Sequence, residues 1–378
     1  MRILVTGGAG FIGSHLCVEL VAKGYNLVVI DNLLPQVHGD KGSSSTYHRI
    51  KNLVEFIQDD IRNQAMLDNI LQRVDVIVHL AAMTGTGQSM YSVREYIDVN
   101  VNGTAGLMDS IITRSNNIRK IIVASSRAIY GEGKYYCRKD GDVYPETRDE
   151  VLLRRGKFDP VCPVCRGVID LRATDENSRI HPSSIYGISK YAQEEIVLNV
   201  AKTVGIPAYA FRYQNVYGPG QSLINPYTGI LSIFSTVMKN GKEINVYEDG
   251  RESRDFVYID DVVDATVAGI ESPLETTVAL NVGSGVNTSV ENIVHLLGEA
   301  YSFDYHHKIS GDYRIGDIRH NLADLKRIQS SLGYKPKVNI ETGIGRFVNW
   351  VESQVNVEEK YDKSEEELFR YGLLRSRE

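Results

Sequence analysis

The segment TGGAGFIGS, residues 6–14, follows the apolar run Ile3-Leu4-Val5 near the start of a chain of 378 residues. The segment predicts a buried strand, a turn with Gly7, Gly10 and Gly13 at three-residue spacing, and then a helix. Such glycines let the backbone turn tightly and approach a pyrophosphate, whose charge then lies at the N-terminus of the helix. The alternative is a strand-turn-helix without a ligand, because short glycine clusters also occur in ordinary turns.

A second apolar strand, residues 27–30, leads into Asp31, which lies eighteen residues after Gly13. This is close to the ~20-residue offset at which a carboxylate accepts hydrogen bonds from the adenosine ribose of a dinucleotide. Because Asp31 would also repel a ribose phosphate, the motif favours NAD over NADP. The residues expected to contact the cofactor around this motif are Gly7, Gly10, Phe11, Ile12, Gly13, Asp31 and Asn32.

The composition is that of a globular protein, with 42% hydrophobic and 24% charged residues. A formal net charge of −6 and the lack of a dense Lys/Arg block argue against a nucleic-acid partner. No apolar run approaches the ~18 residues of a membrane span, and Met1 leads directly into the first strand. Four cysteines, three of them clustered, fit a reducing compartment. We therefore expect a cytoplasmic protein with no membrane association.

Short apolar strands alternate with amphipathic helices over the first 130 residues. This pattern predicts an α/β fold, a doubly wound parallel sheet of the Rossmann type, with ligands at the carboxyl ends of its strands. The strands are predicted at residues 3–5, 27–30, 54–57, 74–80 and 121–124, and the helices at residues 14–23 and 101–114. At the strand ends we expect Asp60 and Ile61 beside the adenine, Leu80, Ala81 and Ala82 along the cofactor, and Ser126 at the reacting group.

The pattern breaks at residues 131–181, which are rich in Arg, Asp, Gly and Pro. We predict an NAD-binding Rossmann domain at residues 1–133 and 182–220, an inserted cysteine-containing lobe at 134–181, and a smaller α/β domain at 221–378 over the ligand edge of the sheet. A helix is predicted at 189–204 and a strand at 208–213. Residues 357–374 predict a charged, weakly amphipathic helix, which either packs on the surface or forms a subunit contact.

Tyr186 and Lys190 stand four residues apart in the segment YGISK, so both side chains project from one face of a helix. A free tyrosine has a pKa near ~10 and is a poor base at neutral pH. A neighbouring ammonium group and the positive nicotinamide ring would both favour the phenolate. Lys190 could also reach the nicotinamide ribose, and Ser126 would hold a substrate hydroxyl against Tyr186. The alternative is a chance occurrence of this pair on a solvated helix.

The glycine loop, Ser126 and the Tyr-Lys pair, in this order, resemble the extended short-chain dehydrogenase/reductase superfamily over nearly the whole chain. The segments FRYQNVYGPGQ (211–221), GRESRDFVYIDD (250–261), RIGD (314–317) and VNVNGT (99–104) look like segments of that superfamily too. The resemblance implies that Asn100 and Tyr213 lie near the cofactor. It also implies that Asn215, Gln221, Arg254 and Arg314 bind a nucleotide-sugar diphosphate, since a guanidinium group can bind phosphate oxygens bidentately. A surface ion pair is the alternative for either arginine.

Members of this superfamily epimerise, dehydrate, reduce or decarboxylate nucleotide sugars. The 4,6-dehydratases carry an Asp-Glu pair after the catalytic serine, whereas this chain has Arg127 and Ala128. The resemblance therefore favours NAD-dependent epimerisation at the 4-position through a transient 4-keto sugar. The alternatives are a nucleotide-sugar 4-ketoreductase and, from another class, a non-catalytic Rossmann sensor that binds NAD and a partner protein.

Four segments, at residues 31–39, 84–91, 125–133 and 213–229, resemble dTDP-L-rhamnose 4-epimerases more than UDP-galactose 4-epimerases. This resemblance implies conversion of dTDP-L-rhamnose to dTDP-6-deoxy-L-talose, with a 4-epimerase of a UDP-hexose as the alternative. It also implies hexose contacts from Thr86, Gln88 and Ser89, and a homodimer.

The lobe contains the C-x-x-C pair Cys162 and Cys165, and Cys137 lies 25 residues before the pair. Structural zinc requires four ligands, and the fourth would be Asp140 or His181. The dTDP-L-rhamnose 4-epimerases that this chain resembles carry a cysteine-containing insert at this place, and they tend to have His where Asp140 stands, a departure that counts against zinc. Structural zinc and free thiols therefore both remain open at this point.

Overall fold

Seven parallel strands form a central sheet in the part of the chain that the computed structural model describes, residues 1–39, 44–114, 116–227, 229–301, 305–354 and 361–377. The strands are β1 (Arg2–Thr6), β2 (Asn26–Asp31), β3 (Glu55–Gln58), β4 (Val76–His79), β5 (Lys120–Ser126), β6 (Ala208–Tyr213) and β7 (Thr277–Val282). Their spatial order is β7-β6-β5-β4-β1-β2-β3. The order reverses between β1 and β4, which creates the crevice where such sheets bind ligands. The predicted doubly wound fold is confirmed.

Four helices cover the two faces of the sheet: α1 (Phe11–Ala22), α2 (Gly103–Thr113), α3 (Ile185–Val204) and α4 (Ile259–Glu271). Successive side chains of β1 belong to two different apolar layers, one on each face of the sheet. Ile3 and Val5 pack with residues of α1 and α4, while Leu4 packs with residues of α2 and α3. Burial on both faces explains why these strands read as continuous apolar runs.

The sheet extends further than the sequence pattern indicates at two places. β5 continues through Ser125 and Ser126, because these residues pair with Arg212 and Tyr213 of β6. The seventh strand, β7, lies beyond the predicted domain boundary at residue 220 and pairs with β6 along its whole length. The division into domains stays a prediction, but the sheet itself crosses that boundary.

The remaining elements are shorter or lie around the sheet. Helices and helical turns span Pro35–His38, Ser45–Ile50, Gln64–Ile70, Leu71–Arg73, Thr86–Ser89, Val93–Tyr96, Ile97–Asn102, Arg127–Tyr130, Glu150–Arg154, Ile230–Lys239, Val290–Tyr301, Lys326–Leu332, Ile340–Ser353 and Tyr361–Arg370. Strands span Tyr135–Cys137, Gly141–Val143, Asp170–Leu171, Asn215–Tyr217, Ile244–Val246, Ser253–Tyr258, Asn287–Ser289, His307–Ile309, Tyr313–Arg314 and Leu374–Arg375. Within the described ranges, no helix has the length and apolar character needed to cross a membrane.

The predicted helix at 357–374 is partly wrong. Residues 357–360 lie outside the described residues, and the helix that follows spans Tyr361–Arg370. The chain then turns at Gly372, which has a φ of 68°, and Leu374–Arg375 pairs antiparallel with Tyr313–Arg314. A left-handed glycine ends the helix early because a helix cannot continue through a positive φ.

Residues 134–181 contain three short antiparallel strands, with Tyr135–Cys137 between the other two. Arg148, whose side chain is buried, joins this region to the C-terminal half through an ion pair with Glu248 (2.7 Å), and it also pairs with Glu132 (3.3 Å), just before the region. Thr174 also forms a β-bridge to Ala323. These contacts fix the region against the rest of the molecule.

A buried ion pair connects three elements of the core. Glu194 of α3 accepts hydrogen bonds from the Arg212 guanidinium of β6, the shortest at 2.5 Å, and from the hydroxyl of Ser125 in β5. Arg212 also donates to the hydroxyl of Tyr130 (2.7 Å) and the carbonyl of Glu176 (3.0 Å). Because both charges are buried and fully hydrogen-bonded, the pair fixes the position of α3 along β5 and β6.

We expect Arg212→Met to reduce the free energy of unfolding by about 3–5 kcal/mol, because it leaves Glu194 charged and unpaired in the core. The double variant Glu194→Leu/Arg212→Met should recover most of the loss, since neither charge of the pair then remains in the core without its partner. Urea unfolding followed by circular dichroism measures both effects.

The matched control is Lys326→Ala, which removes the surface ion pair of Lys326 with Asp324. A surface pair of this kind contributes about 0–1 kcal/mol. Equal losses in Arg212→Met and Lys326→Ala would contradict the role given to the buried pair.

Candidate active site

The loop after β1 packs closely against the first turn of α1, and its glycines make that packing possible. A Cβ on Gly13 would lie 2.5 Å from the carbonyl oxygen of Gly7, and Gly7 itself has a φ of 68°. Gly10 is the N-cap of α1 and provides no side-chain cap, so no side chain of the cap engages the first N–H groups of the helix. Free N–H groups and the helix dipole form a site for a phosphate. This loop fits the pyrophosphate of a dinucleotide.

Asp31 lies at the end of β2 beside this loop. Its carboxylate accepts hydrogen bonds from the backbone N–H groups of Ala9 (3.0 Å) and Leu33 (2.9 Å), which hold it in place. On the next strand, Asp60 accepts from the Asn32 amide (3.0 Å). Hydrogen bonds from Arg62 lower the pKa of Asp60 to about 2. Two carboxylates therefore border the end of the crevice where we predict the adenosine.

A cavity of about 800 Å³ runs from this loop to the ends of β5 and β6. It is lined by most of the predicted site residues: Gly7, Gly10, Phe11, Ile12, Gly13, Asp31, Asn32, Asp60, Ile61, Leu80, Ala81, Ala82, Thr86, Ser126, Tyr186, Lys190, Tyr213, Asn215 and Gln221. The predicted cofactor- and substrate-binding residues that do not line it are Asn100, Gln88, Ser89, Arg254 and Arg314. Their roles in binding stay predictions.

Tyr186 and Ser126 meet at one end of the cavity. Tyr186 lies in the first turn of α3, whose N-cap, Ser184, accepts a hydrogen bond from the N–H of Gly187 (3.1 Å). Burial raises the pKa of the Tyr186 phenol, while a hydrogen bond with Ser126 and the positive charge of Arg127 lower it. A phenol placed in this way can exchange a proton with a ligand hydroxyl once these two groups favour its ionised form.

Lys190 is one helical turn from Tyr186, as predicted. We expected its ammonium group to favour the Tyr186 phenolate, but the group has a different partner. Its ammonium group donates to the Gln193 side chain (2.6 Å), and burial lowers its pKa to about 7. The nearby Glu194 carboxylate acts in the opposite direction and raises the pKa. The interactions that favour the Tyr186 phenolate here therefore come from Ser126 and Arg127.

Arg127 is a site residue that the sequence reasoning did not select. It lines the cavity next to Ser126, and burial together with the charge of Arg254 lowers its pKa to about 10. Among the described residues, no hydrogen bond or ion pair engages its guanidinium group. A half-buried guanidinium without a hydrogen-bond partner among the described residues favours an anionic or hydroxyl-rich ligand, because it has five donors to satisfy. In the sequence, only its position directly after Ser126 indicated that it could belong to the site.

Two predicted residues support the site from behind. Asn100, in the π-helical turn Ile97–Asn102, accepts from the N–H of Met83 (2.7 Å) and donates to the Ser189 hydroxyl (2.9 Å). Ser89 accepts from the backbone N–H of Tyr186 (3.0 Å). These hydrogen bonds orient the cavity wall and the first turn of α3.

The two predicted diphosphate arginines converge on a carboxylate. Arg254 is buried, and its guanidinium donates to the carbonyls of Ser253, Ile318 and Arg319 at 2.8–3.0 Å. Arg254 and Arg314 both pair with Asp317, at 3.3 and 2.9 Å. Although burial opposes ionisation, these arginine charges hold the pKa of Asp317 well below its usual range. Asp317 thus occupies the position of an anion between them.

The far wall of the cavity comes from the second half of the chain. Tyr227 and Trp350 line it, and Glu367 of the C-terminal helix accepts hydrogen bonds from the hydroxyls of Tyr227 and Tyr91. Sequence reasoning missed these residues, since Trp350 stands in an ordinary amphipathic pattern and only the fold brings Glu367 to the wall.

Comparison with known proteins agrees with this geometry. Residues 3–148 and 163–283 match the NAD dependent epimerase/dehydratase family. The chain is 37% identical over 357 residues to the dTDP-L-rhamnose 4-epimerase of Burkholderia thailandensis, with 94% of this chain and 96% of that protein covered.

Solved structures show the same similarity. UDP-glucose 4-epimerase from Thermotoga maritima, with UDP-glucose, is 30% identical with a TM-score of 0.74. UDP-glucuronic acid 4-epimerase from Bacillus cereus, in complex with UDP-glucuronic acid and NAD, is 26% identical with a TM-score of 0.75. Each comparison covers 93% of this chain and 99% of the other.

The Rossmann sheet, the glycine loop and the family match over most of the length lead to one conclusion, which confirms the resemblance to extended short-chain dehydrogenases/reductases: the chain belongs to the NAD dependent epimerase/dehydratase family.

Proposed function

We propose that the protein epimerises a nucleotide sugar at C4, and that it interconverts dTDP-L-rhamnose and dTDP-6-deoxy-L-talose. The observation that carries the proposal is the hydrogen-bonded pair Ser126 and Tyr186 at the end of a dinucleotide cavity. The 37% identity to a dTDP-L-rhamnose 4-epimerase over 94% of the chain supports this substrate. Arg127 and Ala128 replace the acid-base pair that a 4,6-dehydratase would require.

NAD fits the glycine loop and Asp31, and when bound it supplies the acceptor and donor of the hydride that leaves C4 and returns to it. In this proposal, Tyr186 removes the proton of the 4-hydroxyl and returns it after the sugar has turned over. Ser126 holds that hydroxyl against the phenol. Tyr186 is half-buried, and the reduced contact with water strengthens the effect of the Arg127 charge on the phenol.

The wall beside β6 suits a ligand that must rotate. Three amide side chains there, Gln214, Asn215 and Gln221, line the cavity. Each has a buried oxygen without a hydrogen-bond partner within the described part of the chain. Hydroxyl groups of a sugar nucleotide could satisfy these acceptors. Neutral amides hold a ligand less tightly than ion pairs, so a sugar could leave and regain these contacts.

Product analysis tests the proposed reaction directly. The purified protein is incubated with dTDP-L-rhamnose without added reductant, and the sugar nucleotides are followed by NMR. We expect the 4-epimer to form at constant total sugar nucleotide.

Two other outcomes would overturn parts of the proposal. Conversion of UDP-glucose but not of dTDP-L-rhamnose would support the proposed 4-epimerisation and refute the proposed substrate. The similarity to UDP-glucose 4-epimerase from Thermotoga maritima is consistent with that outcome. Turnover of a 4-keto sugar only with added NADH or NADPH would identify a ketoreductase instead.

A homodimer and a cytoplasmic location are also proposed, on the family resemblance and on the reduced cysteines. Light scattering coupled to size-exclusion chromatography measures the mass in solution. A mass of one chain would contradict the dimer.

We expect Tyr186→Phe to lower the turnover number on the order of 10²–10⁴-fold, because it removes the proposed acid-base group and leaves the cavity shape unchanged. Bound NAD, measured after denaturation of the purified protein, should remain. The matched control is Tyr191→Phe, the same change five residues later on α3, where the side chain does not line the cavity. Near-normal turnover in Tyr186→Phe would refute the role of Tyr186.

We expect Arg127→Gln to move the acidic limb of the pH profile of the turnover number to higher pH by about one unit. Loss of the positive charge raises the pKa of the Tyr186 phenol, so the base form appears only at higher pH. Arg127→Lys keeps the charge and should keep the limb near its original position. A uniform loss at every pH in Arg127→Gln, with no displacement of the limb, would show that Arg127 has only a structural role.

A further inference from the structure

Three thiols and one carboxylate of residues 134–181 lie together, away from the cavity. The cluster consists of Cys137, Asp140, Cys162 and Cys165, whose ligand atoms all lie within 4.8 Å of one another. The carboxylate of Asp140 is 3.2 Å from the Cys137 sulfur and 3.1 Å from the Cys162 sulfur. The sulfurs of Cys137 and Cys165 are 3.5 Å apart. We call this set the Cys3Asp cluster.

The backbone around Cys162 and Cys165 forms a tight knuckle. The N–H of Arg166 donates to the carbonyl of Cys162 (3.0 Å), and the N–H of Cys162 donates to the carbonyl of Gly167 (2.9 Å). Arg166 has a φ of 59°, a conformation that non-glycine residues rarely adopt. The N–H of Gly167 also donates to the Cys165 sulfur. The chain is thus bent so that both sulfurs face one point, and a backbone donor supports one of them.

Apolar burial does not explain why this knuckle is held in place. Val164, between the two cysteines, is 70% exposed, and Val168 is 88% exposed. The local core contains few buried side chains, Tyr135 and Val143 besides two of the cysteines. With so little apolar burial around the knuckle, a metal ion would be an effective source of local order.

The ligand types and their separations select the metal. Zinc binds thiolates at about 2.3 Å and carboxylate oxygens at about 2.0–2.2 Å in a tetrahedron. Ligand atoms on such a tetrahedron lie roughly 3.5–3.8 Å apart by geometry from these bond lengths, close to the separations in the Cys3Asp cluster. A disulfide requires sulfurs about 2.05 Å apart, and it would leave one thiol and the carboxylate unused.

We propose that the Cys3Asp cluster is a structural zinc site, closed by four protein ligands and independent of the reaction. Asp140 is the fourth ligand. The alternative fourth ligand, His181, lies elsewhere, because its ring pairs with Glu146 at 2.6 Å. The site joins the turn between Tyr135–Cys137 and Gly141–Val143 to the knuckle. It therefore links two parts of the chain, residues 137–140 and residues 162–165, and Arg148 lies in the segment between them.

Metal analysis of the purified full-length protein tests the proposal. Inductively coupled plasma mass spectrometry should find about one zinc ion per chain, as a closed four-ligand site binds. Cys162→Ser and Asp140→Ala should lose most of it, and Asp140→His should retain it because imidazole replaces the carboxylate as a ligand. The matched control is Cys17→Ala, which removes the thiol outside the cluster and should keep the zinc.

A second measurement covers the case in which a variant fails to fold. Wild-type protein exchanged with Co²⁺ should show thiolate-to-cobalt charge-transfer absorption and the intense visible bands of a tetrahedral ion. The proposal is overturned if zinc-grown wild-type protein contains no stoichiometric zinc and Co²⁺ gives no such spectrum. It is also overturned if mass spectrometry finds a disulfide within the cluster. Because none of these readouts measures turnover, failure of the zinc site and failure of the proposed epimerase activity are distinguishable.

Discussion

The buried ion pair of Glu194 and Arg212 is the interaction on which the proposed catalytic geometry depends. Glu194 follows Lys190 by one helical turn on α3, Arg212 precedes Tyr213 on β6, and Ser125, which donates to Glu194, precedes Ser126 on β5. Each partner thus lies next to a proposed site residue on its own element. Because Glu194 and Tyr186 lie on the same helix, a shift of α3 along the sheet would disturb both the ion pair and the position of Tyr186 beside Ser126.

Burial also affects the protonation of the two proposed catalytic residues on α3. Desolvation opposes ionisation of both Tyr186 and Lys190, so the site requires charges fixed by the fold to favour the phenolate. Arg127 supplies one, and it stands within a group of arginines, with Arg254 and Arg314, that surround Asp317. Of these groups only Arg127 lines the cavity, so it is the arginine that a nucleotide diphosphate in the cavity would meet first. This arrangement fits an anionic substrate and a neutral sugar beyond it.

Much of the fold could be predicted from the sequence because its signals are local. The glycine loop, Asp31 and the Tyr186–Lys190 pair depend on spacings within a single strand-turn-helix or one helix. β7 could not be placed, since its partner lies about seventy residues earlier and its apolar residues suit several positions. Arg127 was visible only as a departure from a dehydratase pattern. That its guanidinium has no hydrogen-bond partner among the described residues could be seen only in the folded chain. The same holds for the proposal of Asp140 rather than His181 as the fourth zinc ligand.

The central claim is that C4 is oxidised and reduced again within one site, so the hydrogen at C4 should never reach water. The most direct test uses dTDP-L-rhamnose carrying deuterium at C4, with product analysis by NMR and mass spectrometry. We predict that the epimerised product retains the deuterium at C4 and that a reaction in D₂O adds none to the neighbouring carbons. Loss of the label to solvent, or deuterium entering at C3 or C5, would contradict the account and indicate epimerisation by deprotonation of carbon.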